Sequence, residues 1–557
     1  MDLYKQLEKL LNVNLTKYKI LFVLLFIITG IFEIAGIGII LIFVNSLGSI
    51  ISGNLPNYIV NLIDYLDVNN QQFIVLISIL IFLIFSFKNI LLIFIEIFKF
   101  RFFAASQTKL SLKIYSSLIN TSLKNLLKTK SHKLISDSVV EIDKIFQNYL
   151  QSIYIVYSET IIFVLVLLFL LFIEFKVSIV LIFTFSTIVF LFGKIFKRKI
   201  DYWGQKRQTS ISKLNKLIIS SIRNFKEIKV EGLEEKFQEY FKKNSTGFAN
   251  SIAFLNILQS IPRLFIEILI VSLISLLIIY SILFFDDYTR IFSLLALFAS
   301  SAIRLAPSAN RIYVNANTKH FFEYSLKSII SQIDHLNSNI DNKKNKKKII
   351  EDIENIELKN VKFAYDQKII LQNLNYKFKK GEMIAVTGPN GSGKSTFLDL
   401  ILGLHKPSSG SVYINNKDIN KIDTSNLFAY CTQDHYLVDD TIKKNLTMFQ
   451  KKINFNIIKF LMFKNFFKNK NYLKIKTGED GKQLSGGQRQ IVLLAKNLLK
   501  NKQIIILDEP TAALNNKIKE KIFLNLNRLK KDKIILIVTH DTKFLKYFDK
   551  IIKIKKR

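Results

Sequence analysis

Six apolar stretches, each long enough to cross a bilayer, occupy most of the first three hundred positions of this chain and leave it few ways to fold. They cover residues 20–44, 73–98, 153–172, 177–196, 252–285 and 291–306. A membrane-spanning helix needs about 20 predominantly apolar residues, so each stretch is read as one transmembrane helix. Six spans put both chain ends on the same side. The loops say which side, because short cytoplasmic loops retain Lys and Arg. Residues 45–72 contain neither, whereas 99–144 and 194–243 are dense in both. The two termini and the two long loops are therefore expected in the cytoplasm. Both loops keep an apolar helical period, as in Leu110, Ile114 and Leu118 or Leu214, Ile218 and Ile222, so the helices should project well beyond the membrane.

At 557 residues the chain is too long for a single ordinary core. Its net charge of +36 raises the question of a nucleic-acid partner. The Lys residues, however, are spread along the chain among Asn and Ile, with no compact basic face carrying stacking aromatics, so no nucleic acid is expected. Cys431 is the sole cysteine, which excludes an intramolecular disulfide or a thiolate metal cluster. The first 19 residues are polar and Lys-bearing, and the apolar run after them is too long for a cleavable signal. Residues 1–333 are read as a six-helix membrane domain and 334–350 as a basic linker. From about Glu351 short β-branched runs alternate with helical segments, so 351–557 is read as an α/β nucleotide-binding domain.

The chemistry of that second domain is written in its loops. A strand at 383–386 runs into Gly388-Pro389-Asn390-Gly391-Ser392-Gly393-Lys394-Ser395-Thr396, which opens a helix. This is a P-loop: backbone N–H groups converge on phosphates, Lys394 neutralises β/γ oxygens and the Ser395 hydroxyl binds Mg²⁺. A second strand, 504–507, ends in Asp508-Glu509. Asp508 is expected in the Mg²⁺ shell, and Glu509 as general base on the attacking water. ATP and Mg²⁺ are the expected cofactors.

Leu484-Ser485-Gly486-Gly487-Gln488 looks like the signature of the ABC transporters. With Tyr365, Gln433 and His540 in order around it, the chain resembles a half-size ABC exporter over its whole length. The resemblance implies that Tyr365 stacks on adenine, that Gln433 joins the Mg²⁺ site to the membrane domain and takes part in catalysis, and that His540 contacts the γ-phosphate. It also implies that Ser485, Gly486, Gly487 and Gln488 face the nucleotide of a partner subunit. A homodimer is then the simplest assembly. The sequence departs from the family at Ala513-Leu514-Asn515, where an Asp usually stands in place of Asn515; communication between the two ATP sites is the property this puts in question. Coupling segments are expected near 131–136 and 220–225.

Four cations stand within or beside the spans: Lys88, Arg263 after Pro262, and Arg304 and Arg311 flanking Pro307. An intramembrane charge costs about 2.5–3.5 kcal/mol on insertion scales, which makes each a functional candidate. They could line a cavity for an anionic head group. Alternatively they pair with Glu33, Glu96, Glu159 or Glu267, or extend to the interface. The segment Arg304-Leu305-Ala306-Pro307-Ser308-Ala309-Asn310-Arg311 resembles one in bacterial flippases of lipid-linked oligosaccharides, as do Ile261-Pro262-Arg263 and Lys88, the last standing where those proteins have Arg. That resemblance implies a bacterial inner membrane and a polyprenyl-pyrophosphate-linked oligosaccharide as substrate. Between the first two spans, Tyr58, Ile59, Leu62, Ile63 and Leu66 form an apolar stripe opposite Asn57, Asn61, Asp64 and Asp67, as a surface helix touching lipid would, although a cap over the helix bundle would look the same. Export of another lipid, a drug or a peptide is the alternative, with leader-cleaving peptide export disfavoured by the position of Lys19. A non-transporting ABC channel or sensor is the alternative of another class, disfavoured by the intact Lys394, Glu509 and His540.

Overall fold

The computed structural model describes residues 3–12, 14–52, 57–128, 140–173, 175–284, 288–337, 352–365, 368–424, 426–432, 436–447, 453–467 and 471–556. They fall into a helical unit within 1–121 and 125–340, and an α/β unit within 122–124 and 341–557.

In the helical unit a short helix, α1 (Leu3–Leu11), buries Leu7 and Leu11. It is followed by α2 (Leu15–Ser52), α3 (Asn57–Leu66) and α4 (Asn70–Asn120). A π-helical stretch, Ile145–Leu150, leads into α5 (Gln151–Ile173). Then come α6 (Phe175–Arg223), the short α7 (Phe225–Val230), α8 (Glu234–Phe284) and α9 (Tyr288–Asn337). Among the described residues, the helical stretches Leu15–Leu47, Asn70–Asn120, Ile142–Ile173 and Glu234–Ile268 are long and apolar enough to cross a membrane. The apolar stretches 177–196 and 291–306 lie on α6 and α9, where part of the side chains fall outside the described residues. α4 has 51 residues. At 1.5 Å per residue it is about 75 Å long, more than twice the hydrocarbon thickness of about 30 Å.

Close packing holds these helices together. Gly204 of α6 lies against α9 so tightly that a Cβ there would sit 2.7 Å from the Phe321 carbonyl oxygen. One turn along α6, the buried Arg207 pairs with the buried Glu141 at 2.9 Å and donates to Ser325 Oγ at 2.8 Å. α9 continues to Asn337 and buries Ile333 and Leu336 in its last turns. The helix therefore occupies the first four positions read from sequence as linker, because its apolar period outlasts the onset of polar composition. On α3, Ile63 packs towards Phe73 and Ile77 of α4 while Leu62, Tyr65 and Leu66 remain exposed. The side chains of Tyr58 and Ile59 lie outside the described residues, as do residues 131–136.

The α/β unit contains a five-stranded parallel sheet in the order β6-β7-β8-β3-β9, formed by Phe428–Cys431, Ile504–Asp508, Ile534–Val538, Met383–Thr387 and Lys550–Lys553. Beside it lies an antiparallel sheet in the order β2-β1-β4-β5, from Lys368–Lys379, Asn355–Tyr365, Ser409–Ile414 and Lys417–Asp418. Strand side chains alternate between faces, and both faces of the parallel sheet are covered. Ile504 and Ile506 enter one apolar cluster with Ile534, Leu536 and Val538, while Ile505 and Leu507 enter the other with Ile535 and Ile537. This explains why β7 and β8 read as unbroken apolar runs.

Candidate functional site

In open parallel sheets, ligands bind beyond the carboxyl ends of the strands. Here β3 ends at Thr387 and passes into the P-loop, β7 ends at Asp508, and β8 lies between them. Two backbone bonds lock the three ends together, Glu509 N to Val538 O at 3.1 Å and Thr539 N to Val386 O at 3.2 Å. His540 therefore emerges between the P-loop and the Asp508-Glu509 pair, although more than 140 residues of sequence separate the first from the last of these groups.

The P-loop backbone is committed to its shape. Gly388 has φ +153° and a Cβ there would come 2.3 Å from the Ile554 carbonyl oxygen; Gly393, at φ +96°, precedes the helix Lys394–Ile401, here α10. Pro389, Asn390, Gly391 and Ser395 are on the exposed rim, and Thr396 is buried beneath it. Lys394 Nζ donates to the carbonyls of Gly388 and Pro389 at 3.0 and 3.1 Å, and the buried Ser392 Oγ has no hydrogen-bond partner. A loop of backbone N–H groups at a helix N-terminus, with an ammonium folded onto it and an unused buried hydroxyl, fits a phosphate chain. Ser395 and Asp508 would hold Mg²⁺, which would supply charge neutralisation for the phosphates.

Asp508 is buried, and burial pushes its carboxyl up to about 6; the neighbouring Glu509 charge adds to this while Lys394 opposes it. A raised carboxyl pKa means that the proton competes with metal as pH falls through that value. The Mg²⁺ concentration giving half-maximal ATP turnover is therefore expected to rise several-fold between about pH 7.5 and pH 5.5. Mg²⁺ titrations of turnover at the two pH values check this; an unchanged requirement would mean that Asp508 stays ionised across the range.

Glu509 adopts a left-handed backbone, φ +49°, and its Oε1 lies 3.2 Å from His540 Nε2. A non-glycine residue held in this region costs on the order of 1 kcal/mol. The surroundings impose it: Gln490 Nε2 donates to the Glu509 carbonyl at 2.9 Å, and Gln490 Oε1 accepts from Ala513 N at 2.8 Å. Gln490 sits on α11 (Gly486–Leu498), whose N-terminus carries the signature residues. Ser485 and Gln488 form a reciprocal capping box, and Gln488 also donates to the Phe466 carbonyl at 2.9 Å. Ser485 and Gly486 are exposed and Gly487 is half-buried. In this chain the signature glycines meet the side chains of Ala513, Leu514 and Phe466 rather than the P-loop: a Cβ on Gly486 would approach the Ala513 Cβ, and one on Gly487 would approach Leu514 and Phe466.

Tyr365 ends β1, partly exposed, with its hydroxyl 3.0 Å from Nε2 of the buried His405 and the two rings edge to face. Gln433 lies outside the described residues. Asn515 has a local role that the sequence did not reveal: its side chain accepts from Ile518 N at 3.0 Å and caps the helix Asn516–Leu529. Asn and Asp are equivalent caps, and an Ala there costs about 1 kcal/mol. Thermal melting of the solubilised chain should therefore be nearly unchanged by Asn515→Asp and clearly lowered by Asn515→Ala.

In the helical unit, three of the four expected cations are gathered by two carboxylates. Glu33 of α2 meets Lys88 of α4 through Oε2 at 2.9 Å and Arg304 Nε of α9 through Oε1 at 2.9 Å. Glu159 of α5 meets Arg311 through Oε1 at 2.7 Å and Arg304 through Oε2 at 3.5 Å, and accepts from Ser308 Oγ at 2.6 Å. Glu33, Glu159 and Lys88 are buried. Breaking one buried pair leaves an uncompensated charge worth about 3–5 kcal/mol, so this cluster ties α2, α4, α5 and α9 together. Arg263 is exposed and forms no ion pair among the described residues, and Glu96 is engaged by Lys99 instead.

Sequence reasoning named Glu33 and Glu159 as charge partners but not as one shared cluster. It missed Gln490 and His405 altogether. Gln490 follows the signature by two positions, a usable signal; nothing local marks His405.

Comparison with known proteins agrees with the two units. Residues 13–303, more than half of the chain, match the ABC transporter transmembrane region, and residues 371–512 match the ABC transporter family. A Haemophilus influenzae protein named "Probable ABC transporter ATP-binding/permease protein" is 26% identical over 63% of this chain and 65% of its own length. The "ATP-dependent lipid A-core flippase 2" of Colwellia psychrerythraea is 35% identical over 218 residues, 36% of each chain. The matches thus span less than two thirds of these relatives. The solved structure of a bacterial Atm1-family ABC exporter with ATP bound has the same fold, with a TM-score of 0.77 over 97% of this chain and 93% of its own, at 16% identity. A transmembrane match across most of the helical unit, joined to a P-loop and a signature helix in one polypeptide, means that this chain belongs to the ABC transporters.

Proposed function

We propose that this chain is one half of an ATP-driven exporter or flippase that moves an anionic amphiphile across the membrane, with a polyprenyl-pyrophosphate-linked oligosaccharide as its substrate. The observation that carries the reading is Arg304. Three cations share two carboxylates in its cluster, and the buried Arg304 Nε has no hydrogen-bond partner despite its 2.9 Å approach to Glu33. Its guanidinium is held by charge while its donors stay unaligned, and a guanidinium presents a fork of donors suited to phosphate oxygens. The buried Lys88 and the exposed Arg311 belong to the same cluster, and Arg263 supplies a further cation.

ATP binding and hydrolysis drive the cycle. Lys394, Ser395 and Asp508 hold the nucleotide and Mg²⁺, Tyr365 stacks on adenine, Glu509 takes the proton of the attacking water, and Gln433 and His540 complete the γ-phosphate site. The exposed N-terminus of α11 serves the nucleotide of a second copy, so two identical chains make two sites. Closure and reopening of the nucleotide-binding domains switch access to the cavity. Termini and long loops are cytoplasmic, and the bacterial relatives favour an inner membrane. The names of the relatives support a lipid of the lipid A-core type as the second reading. The test is ATP turnover in liposomes with and without a polyprenyl-pyrophosphate oligosaccharide. Stimulation supports the first reading, and stimulation by lipid A alone supports the second.

A further inference from the structure

We infer that Glu33 and Glu159 are exchangeable counter-anions: they occupy the cation cluster in the ligand-free protein and give way to the phosphate oxygens of the transported amphiphile. This rests on the reading that the cluster receives an anionic substrate. Both carboxylates are buried, yet neither belongs to a single partner. Glu33 divides its oxygens between Lys88 and Arg304, and Glu159 divides its own among Arg304, Arg311 and the Ser308 hydroxyl. The two arginines are the more accessible members, since the side chain of Arg304 is 21% exposed and that of Arg311 is 55% exposed, against 10% and 8% for Glu33 and Glu159, while Lys88 at 11% is as buried as the carboxylates.

Geometry also separates a permanent pair from a provisional one. Arg207 and Glu141 are both almost fully buried, and Arg207 donates to Glu141 and Ser325 although its Nε has no partner; in the shared cluster Glu33 and Glu159 each accept a hydrogen bond, from Lys88 and Arg311, so the provisional contacts are those to Arg304 alone. Arg304 makes two ionic contacts and no hydrogen bond among the described residues. Two phosphate groups brought to Arg304 would satisfy its fork and take over the charge that the carboxylates now supply. When the ligand leaves, the carboxylates return and lower the affinity for rebinding. The two glutamates thereby set both the charge of ligand that is accepted and the ease of its release, without touching the ligand while it is bound.

The test compares full-length wild type, Glu33→Gln and Glu159→Gln in liposomes, titrating polyprenyl pyrophosphate and reading ATP turnover. Each Gln variant removes one competing charge. The half-stimulating concentration is expected to fall about tenfold, the scale of one partly shielded charge interaction, while stimulated turnover at saturation falls because release slows. A half-stimulating concentration that is unchanged or raised overturns the inference and leaves the carboxylates as helix ties. Should a Gln variant melt at markedly lower temperature, Glu→Asp at the same position carries the test: the shortened carboxylate keeps the charge but reaches the cations less well, and the half-stimulating concentration must still fall. A wild type that ignores the lipid sinks the substrate reading and this inference with it; a responsive wild type with unshifted variants sinks the inference alone.

Discussion

Replacing Glu509 by Gln is expected to lower ATP turnover by about two to four orders of magnitude, the range that a positioned general base contributes, while ATP still binds. The substitution is nearly isosteric. The left-handed backbone at this position and the bond from Gln490 to the Glu509 carbonyl do not involve the side chain, so both survive. What disappears is a basic oxygen at the end of β7, beside Asp508 and 3.2 Å from His540 Nε2. Lys394 and the P-loop backbone, which would hold the phosphates, lie outside this substitution. Binding of a fluorescent ATP analogue and steady-state turnover, measured on the same preparation, separate the two functions. A variant that keeps more than about a tenth of wild-type turnover would assign the proton to another group.

Arg304→Ala is expected to abolish stimulation by the pyrophosphate lipid, bringing the ratio of stimulated to unstimulated turnover close to one. The argument is a charge count. Three cations and two carboxylates become two and two, and each remaining carboxylate keeps a partner of its own, Lys88 at 2.9 Å from Glu33 and Arg311 at 2.7 Å from Glu159. No buried charge is stranded, so the chain should fold; the excess positive charge and the unaligned guanidinium donors are lost. Lys88→Ala differs in kind: Glu33 would keep only Arg304, which Glu159 also claims, and stability should suffer more. Melting temperature read beside the stimulation ratio distinguishes these effects. Full stimulation in Arg304→Ala would move the substrate contact elsewhere, with the exposed Arg263 as the next candidate.

Legibility from sequence differed between the units for a physical reason. P-loop, acidic strand end and signature are short runs in which local backbone geometry is itself the chemistry. Gly388 and Gly393 are needed where they stand because a side chain would strike Ile554 or Ile370. The capping box that orders the signature helix is likewise made by Ser485 and Gln488, three residues apart. By contrast, the partners of Lys88, Arg304 and Arg311 lie on helices far away in sequence, and nothing in an apolar window ranks Glu33 above Glu96 or Glu159 above Glu267. Asn515 shows the same limit on a small scale. As a departure from family pattern it raised communication between sites; the structure adds that it caps a helix.

By itself the sequence determined the apolar helices, the charge pattern of the loops between them and the order of the nucleotide motifs, because each depends on composition or spacing within about 20 residues. Only the tertiary structure decided that β8 lies between β7 and β3 and delivers His540 to Glu509, that Gln490 braces the segment after β7, and that two glutamates share three cations. Those arrangements arise from helix packing and parallel strand order, in which residues that meet are separated by long stretches of chain, and no local pattern records which of them will meet.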